Sequence, residues 1–191
     1  MKNNNTFKMY IAPVIVLVCI CLVVTAALAA TYGVTQPIID KNTKASADAA
    51  RQELLPDADS FTAIDSSELV VLEEGKVFAT ECYVADNGSG MVVTVQSSSF
   101  GGLLTEMIGI DKDGAITGVQ VTAHDDTPGL GTKAQTPEHL GQYVGLTELQ
   151  STSAKDDSSV NYITGATISS NAVHYGVYCA LEQYKALGGV Q

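Results

Sequence analysis

Positive charge is scarce in this chain. Ten Lys and Arg stand against 21 Asp and Glu, for a formal charge of -11 at pH 7. Binding a phosphate backbone requires a basic surface, so a nucleic-acid partner is excluded. Histidine is scarcer still. His124, His139 and His174 show none of the spacing that metal ligands need. No Ser-His-Asp or Cys-His arrangement can be built from the order of residues. There is no tryptophan and there are four cysteines. Cys19 and Cys21 fall in an apolar segment and read as filler. Cys82 and Cys179 fall in a predicted strand and a predicted helix and read as two buried small residues, although an exported domain could pair them.

The most informative absence is local. From Met9 to Ile39 there is no charged residue. A helix of about 20 apolar residues crosses the hydrocarbon core of a bilayer, and Tyr10–Val34 is long enough. Ala27-Leu28-Ala29 has the look of a signal cleavage site, but the apolar run exceeds the roughly 7–15 residues of a signal h-region. An uncleaved anchor is the better reading. Lys2 and Lys8 precede the span, and Lys41, Lys44 and Arg51 follow it. That count does not fix orientation. The short head and large acidic tail suit an N-terminus inside and a domain exported.

The remaining length allows one domain of ordinary size. The expected organisation is a head at 1–9, a transmembrane helix at 10–34, a juxtamembrane linker and helix at 35–60, and a domain at 61–191. Within the linker, a turn is expected first and then a helix from about Thr43 to Leu55, stopped by Pro56-Asp57. Strands follow at Glu68–Glu74, Lys76–Asp86 and Met91–Ser97, with a turn at Asp86–Gly90. Leu103–Asp111 and Ala115–Ala123 flank Asp113-Gly114, a strong hairpin signal. Thr136-Pro137-Glu138 reads as an N-cap with proline at the first helical position. The last helix is expected from about Ser169 to Leu187. Its Val173, Val177, Leu181 and Tyr184 share one face.

Two irregular segments interrupt this pattern. NYITGATISS, Asn161–Ser170, is a hydroxyl-rich turn at a helix start, where free N–H groups and the positive end of the helix dipole favour an anion. It lacks the lysine of a P-loop, so nucleotide hydrolysis is not implied. The plain alternative is a Ser/Thr-capped helix after a glycine turn. HDDTPGLG, His124–Gly131, lies about 35 residues upstream. Two such loops in one small domain suggest two walls of one pocket.

The pair resembles the FMN-binding domain of the Rnf complex G subunit and the Nqr complex C subunit. Thr164-Gly165-Ala166-Thr167, with Ser169 beyond it, matches the attachment motif. Thr127-Pro128-Gly129-Leu130-Gly131 matches the second signature. One departure is Asn161, where the family usually has Asp. The resemblance implies an α+β fold: a single N-terminal transmembrane helix, then one extracytoplasmic FMN-binding domain with an antiparallel sheet and flanking helices. It implies FMN held covalently on Thr167 through a phosphoester, placed there by a flavin transferase. Thr164, Gly165, Ala166, Ile168 and Ser169, with His124, Thr127, Pro128, Gly129, Leu130 and Gly131, would line the cofactor site. His124 with Asp125 and Asp126 has two equal readings, orienting the flavin loop or lying in a solvated loop.

The implied role is electron carriage, without independent catalysis, in a membrane ferredoxin:NAD+ oxidoreductase that translocates ions. The partners would be its A, B, C, D and E subunits. The short chain looks closer to the Rnf G subunit than to the Nqr C subunit. Other readings are the C subunit of an Nqr-type quinone reductase, a stand-alone extracytoplasmic flavin carrier, and a module that binds a phosphate ligand without a covalent bond.

Overall fold

The computed structural model describes residues 10–190. Lys2, Lys8 and the head at 1–9 lie outside the described residues. The chain divides into two compact units, Met1–Ala47 and Asp48–Gln191.

The first unit is helical. Helix α1 is Ala12–Leu54. Val14, Leu17, Leu22, Val23 and Leu28 are all exposed on it. A run this apolar with nothing to bury it fits lipid, not water. It is the one described helix long and apolar enough to cross a membrane. The expected turn after residue 34 is not found, and the helix runs on through Pro37. The proline costs one backbone bond to residue 33, which is glycine. The flanking alanines, lysines and glutamine are good helix formers and resume the helix.

The second unit is built on a sheet. Six strands, all antiparallel, are β1 (Phe61–Ala63), β2 (Val71–Glu73), β3 (Val77–Ala85), β4 (Gly90–Ser98), β5 (Leu103–Asp111) and β6 (Ile116–Ala123). Their order is β1-β3-β4-β5-β6, with β2 also on β3. The β5–β6 hairpin turns where expected. Asp111 Oδ1 accepts from the amides of Asp113 and Ala115, each at 2.9 Å. The short helix α2, Pro137–Leu140, follows the sheet. Thr136 is its N-cap, as expected, with Oγ1 accepting from the His139 amide at 3.4 Å.

Successive side chains on a strand point to opposite faces. Met91, Val93 and Val95 of β4 join one apolar cluster, and Val92 between them joins another. The first cluster is closed by helix α3, Thr167–Ala186, through Val173, Val177, Ala180 and Leu181. The second is closed by Ala50, Leu54 and Leu55 at the end of α1. Each fully buried valine or isoleucine contributes roughly 1.5–3 kcal/mol. Both faces of the central strands are therefore dry. Arg51 helps dock this end. It is buried, ion-paired to Asp48 and to Glu81 at 3.3 Å, and its guanidinium lies 3.7 Å from the Tyr83 ring centroid. A planar guanidinium suits that stacked, forked geometry.

A carboxylic acid on the α3 side breaks the apolar rule. Glu106 of β5 is fully buried, and neither carboxyl oxygen has a hydrogen-bond partner. It fits because residue 176 of α3 is glycine: a Cβ there would lie 1.7 Å from Glu106 Oε1. Burial raises the Glu106 pKa well above its ordinary 4.5, because an ionised carboxylate without partners is costly in a dry interior.

The folded protein therefore keeps a proton that the unfolded chain releases. The associated stability is complete below pH 4.5 and is lost as pH rises toward the folded pKa, at up to about 1.4 kcal/mol per pH unit. Glu106→Gln should remove this loss. Urea titrations of the full chain in detergent should show the variant gaining stability over the parent as pH rises above 4.5. Parallel pH profiles for the two proteins would contradict the assignment.

Candidate functional site

Helix α3 begins without help from its own side chains. Its N-cap is Ala166, at φ -128° and ψ 38°, and no side chain caps it. The expected serine or threonine cap is not made. Ser170, one turn into the helix, accepts with its Oγ from the Ile163 amide at 3.0 Å and braces the preceding turn. That turn closes with the Ala166 amide on the Ile163 carbonyl, 3.0 Å. It passes through Gly165 at φ +86°, a left-handed conformation that favours glycine. The amides of Thr167, Ile168 and Ser169 have no acceptor among the described residues. Such a helix mouth attracts an anion.

The TPGLG loop supplies the facing wall. The amides of Leu130 and Gly131 both donate to the Thr127 carbonyl, at 3.2 and 3.1 Å. Thr132 Oγ1 accepts from the Gly129 amide at 2.9 Å. Loop and helix meet at Gly131. A Cβ there would lie 2.7 Å from Ser169 Oγ and 2.8 Å from Asp126 Cβ. Between them lies a cleft of about 320 Å³, lined by Phe100, Thr127, Leu130, Gly131, Gly165, Ala166, Thr167, Ile168 and Ser169. Small-molecule sites run from roughly 300 to 1,000 Å³. Phe100, Ile168 and Leu130 remain 69%, 54% and 46% exposed, so the walls offer bare apolar surface.

Most of the residues named from the sequence are thus gathered at one cleft. His124, Pro128, Gly129 and Thr164 lie exposed or half-exposed and are not on its lining. Sequence reasoning misses Phe100 and leaves Asp126 open between orienting the flavin loop and a solvated loop. Phe100 sits in the β4–β5 turn, in Ser-Ser-Ser-Phe-Gly-Gly, where a lone aromatic among small residues is the available signal. Asp126 is buried beneath the loop, and its sequence signal is only an acid next to TPGLG.

Burial pushes the Asp126 pKa up, but hydrogen bonds from Ser99, the Gly101 amide, Ser169 and Gln135 outweigh it and hold the carboxyl below its ordinary value. His174 lies further along α3, fully buried, with Nε2 2.8 Å from the Ser151 carbonyl and 3.7 Å from Asp157. Burial lowers its pKa, against the opposing pull of the Ser151 carbonyl and Asp157. Cys82 and Cys179 are buried and unpaired. Each thiol is pushed up to about 12 by burial.

Comparison with known proteins agrees with this geometry. Residues 100–182 match the family description of an FMN-binding domain. The G subunit of an ion-translocating oxidoreductase complex from Methanosarcina acetivorans is 35% identical over 181 residues, covering 92% of this chain and 95% of the relative. The chain belongs to the G-subunit family of ion-translocating oxidoreductase complexes. Another relative is the G subunit of a Na(+)-translocating ferredoxin:NAD(+) oxidoreductase complex from Acetobacterium woodii. It is 31% identical over 188 residues, with 91% and 90% of the two chains covered. A third is the G subunit of a proton-translocating complex of the same kind from Clostridium ljungdahlii, 28% identical with 88% of each chain covered.

The residues of this family member fit an FMN. The free amides at the start of α3 suit its phosphate, and the apolar walls suit a flat ring. The hydroxyl of Thr167, half-buried on the cleft wall, stands at that helix start.

Two glycines on this cleft should tolerate a methyl group differently. Gly131→Ala forces the loop off Ser169 and Asp126, at a cost of about 1–3 kcal/mol. At Gly165 an added Cβ meets only Leu130 Cδ1, at 3.9 Å. Gly165→Ala should therefore cost only the backbone strain, about 1 kcal/mol. Denaturant midpoints of the two variants test the order, and a costlier Gly165→Ala would contradict the packing described.

Proposed function

We propose that this protein is the electron-carrying G subunit of a membrane-bound, ion-translocating ferredoxin:NAD+ oxidoreductase. It holds FMN covalently on Thr167 through a phosphoester. The observation that carries this reading is the position of Thr167: the first residue of a helix with no side-chain cap, facing the TPGLG loop across an apolar cleft. When bound, FMN supplies one- and two-electron redox chemistry.

The chain's own residues do the holding. Thr167 Oγ forms the bond to phosphorus and loses its proton. The bond from phosphorus to the nucleotide half of a flavin dinucleotide donor breaks, and no electron moves. A flavin transferase catalyses that exchange. The amides of Thr167, Ile168 and Ser169 offset the charge left on the phosphate. Phe100, Leu130 and Ile168 give the ring apolar surface and limit water beside it.

The expected exported position of the domain fits this account, with the N-terminus inside and the A to E subunits as neighbours. A covalent bond keeps the cofactor where free flavin is scarce.

Expression with the flavin transferase tests the linkage. The peptide holding Thr167 should gain the mass of FMN less one water, and a denaturing gel should show a fluorescent band. Thr167→Ala should abolish both. A fluorescent band that survives Thr167→Ala, or a parent peptide without added mass, would sink the assignment.

A further inference from the structure

The three apolar walls of the cleft come from three separate segments, and one buried carboxylate touches a neighbour of each. Asp126 is 4% exposed. Ser99 Oγ donates to both of its oxygens, at 2.8 and 2.7 Å, and the Gly101 amide donates at 3.0 Å. Ser99 and Gly101 flank Phe100. Gln135 Nε2 donates to Asp126 Oδ2 at 2.9 Å. Gln135 ends the 3₁₀ turn that starts at Gly131, next to Leu130. Ser169 Oγ lies at the same corner: a Cβ at residue 131 would meet it at 2.7 Å and Asp126 Cβ at 2.8 Å, and Ser169 adjoins Ile168. Close approach reinforces the arrangement: a Cβ at residue 101 would lie 2.0 Å from the Asp125 carbonyl oxygen.

We infer that Asp126 is a positioning residue of the flavin site, orienting Phe100, Leu130 and Ile168 together against the ring; this rests on the function proposed above. An amide in its place is neutral and has one acceptor oxygen instead of two, so it holds this set of partners more weakly. Charge-assisted bonds are roughly twice as strong as neutral ones. Asp126 itself is absent from the cleft lining, so it acts through its partners and not on the cofactor.

The test uses the full chain, matured by the flavin transferase and compared with Asp126→Asn. Asp157→Asn is a matched control. Asp157 is also a buried carboxylate that organises a loop, accepting from the amides of Gln150, Ser151 and Ser159, but it does not line the cleft. The readout is circular dichroism in the visible flavin bands, which reports how firmly the surroundings fix the ring, scaled to the flavin found on the Thr167 peptide by mass. Asp126→Asn should lose at least half of this signal per flavin, and Asp157→Asn should keep it. An unchanged signal in Asp126→Asn, or an equal loss in both, would overturn the inference and leave the linkage intact. If Asp126→Asn does not fold, Ser99→Ala decides. It removes one donor beside Phe100 and should lower the signal, whereas an unchanged signal overturns the inference. A parent chain with no flavin on Thr167 would defeat the proposed function itself, and this inference with it.

Discussion

A helix that starts on alanine leaves its first amides to be satisfied from elsewhere. In this domain that unmet demand organises the site. Three N–H groups stand at the start of α3 with no side-chain cap, and Ser170 Oγ serves the Ile163 amide instead. Unpaired amides at a helix mouth call for an acceptor. The chain provides no side chain of its own for them and surrounds them with apolar walls.

The rest of the unit keeps that helix in place. Val173, Val177 and Leu181 anchor α3 on the sheet, and Gly176 lets it settle over the buried Glu106 carboxyl. Further from the cleft, His174 joins α3 to the Ser151 loop, and Gln183 joins it to Glu68 and Val70. The end of α1 covers the opposite face with Leu54 and Leu55 and is bonded to β6 by Thr117 Oγ1 on the Leu54 carbonyl, 2.5 Å. Mutual packing on both sides leaves the sheet little freedom to shift. The loops at its edge can then hold a fixed geometry.

Much of this is legible in the sequence. The charge-free run points to the anchor by composition, Asp113-Gly114 marks the hairpin, and the apolar spacing on α3 marks its buried face. The two loop signatures point to the cleft. What stays hidden depends on three-dimensional proximity. Asp126 reads equally well as a solvated loop carboxylate until Ser99 with Gly101, Gln135 and Ser169 converge on it from three places in the chain. Phe100 looks like a turn residue. The serines and threonines near Thr167 advertise a cap that the backbone does not use. Glu106 shares its strand face with Leu104, Ile108 and Ile110, and only the glycine of a distant helix reveals what makes room for an acid there. The sequence reads α1 as a span and a separate helix from about Thr43, whereas the one proline between them removes only one backbone bond and introduces one clash, and the helix continues through it.

The central claim is that the flavin phosphate is esterified to this chain at the mouth of α3. Phosphorus-31 NMR of the transferase-matured protein tests it most directly. A free phosphate monoester ionises a second time near pH 6 and its resonance moves accordingly. A phosphate bonded to both flavin and Thr167 has no such ionisation. The account predicts a resonance that stays fixed from about pH 5 to 8. A signal that titrates near pH 6 would contradict it.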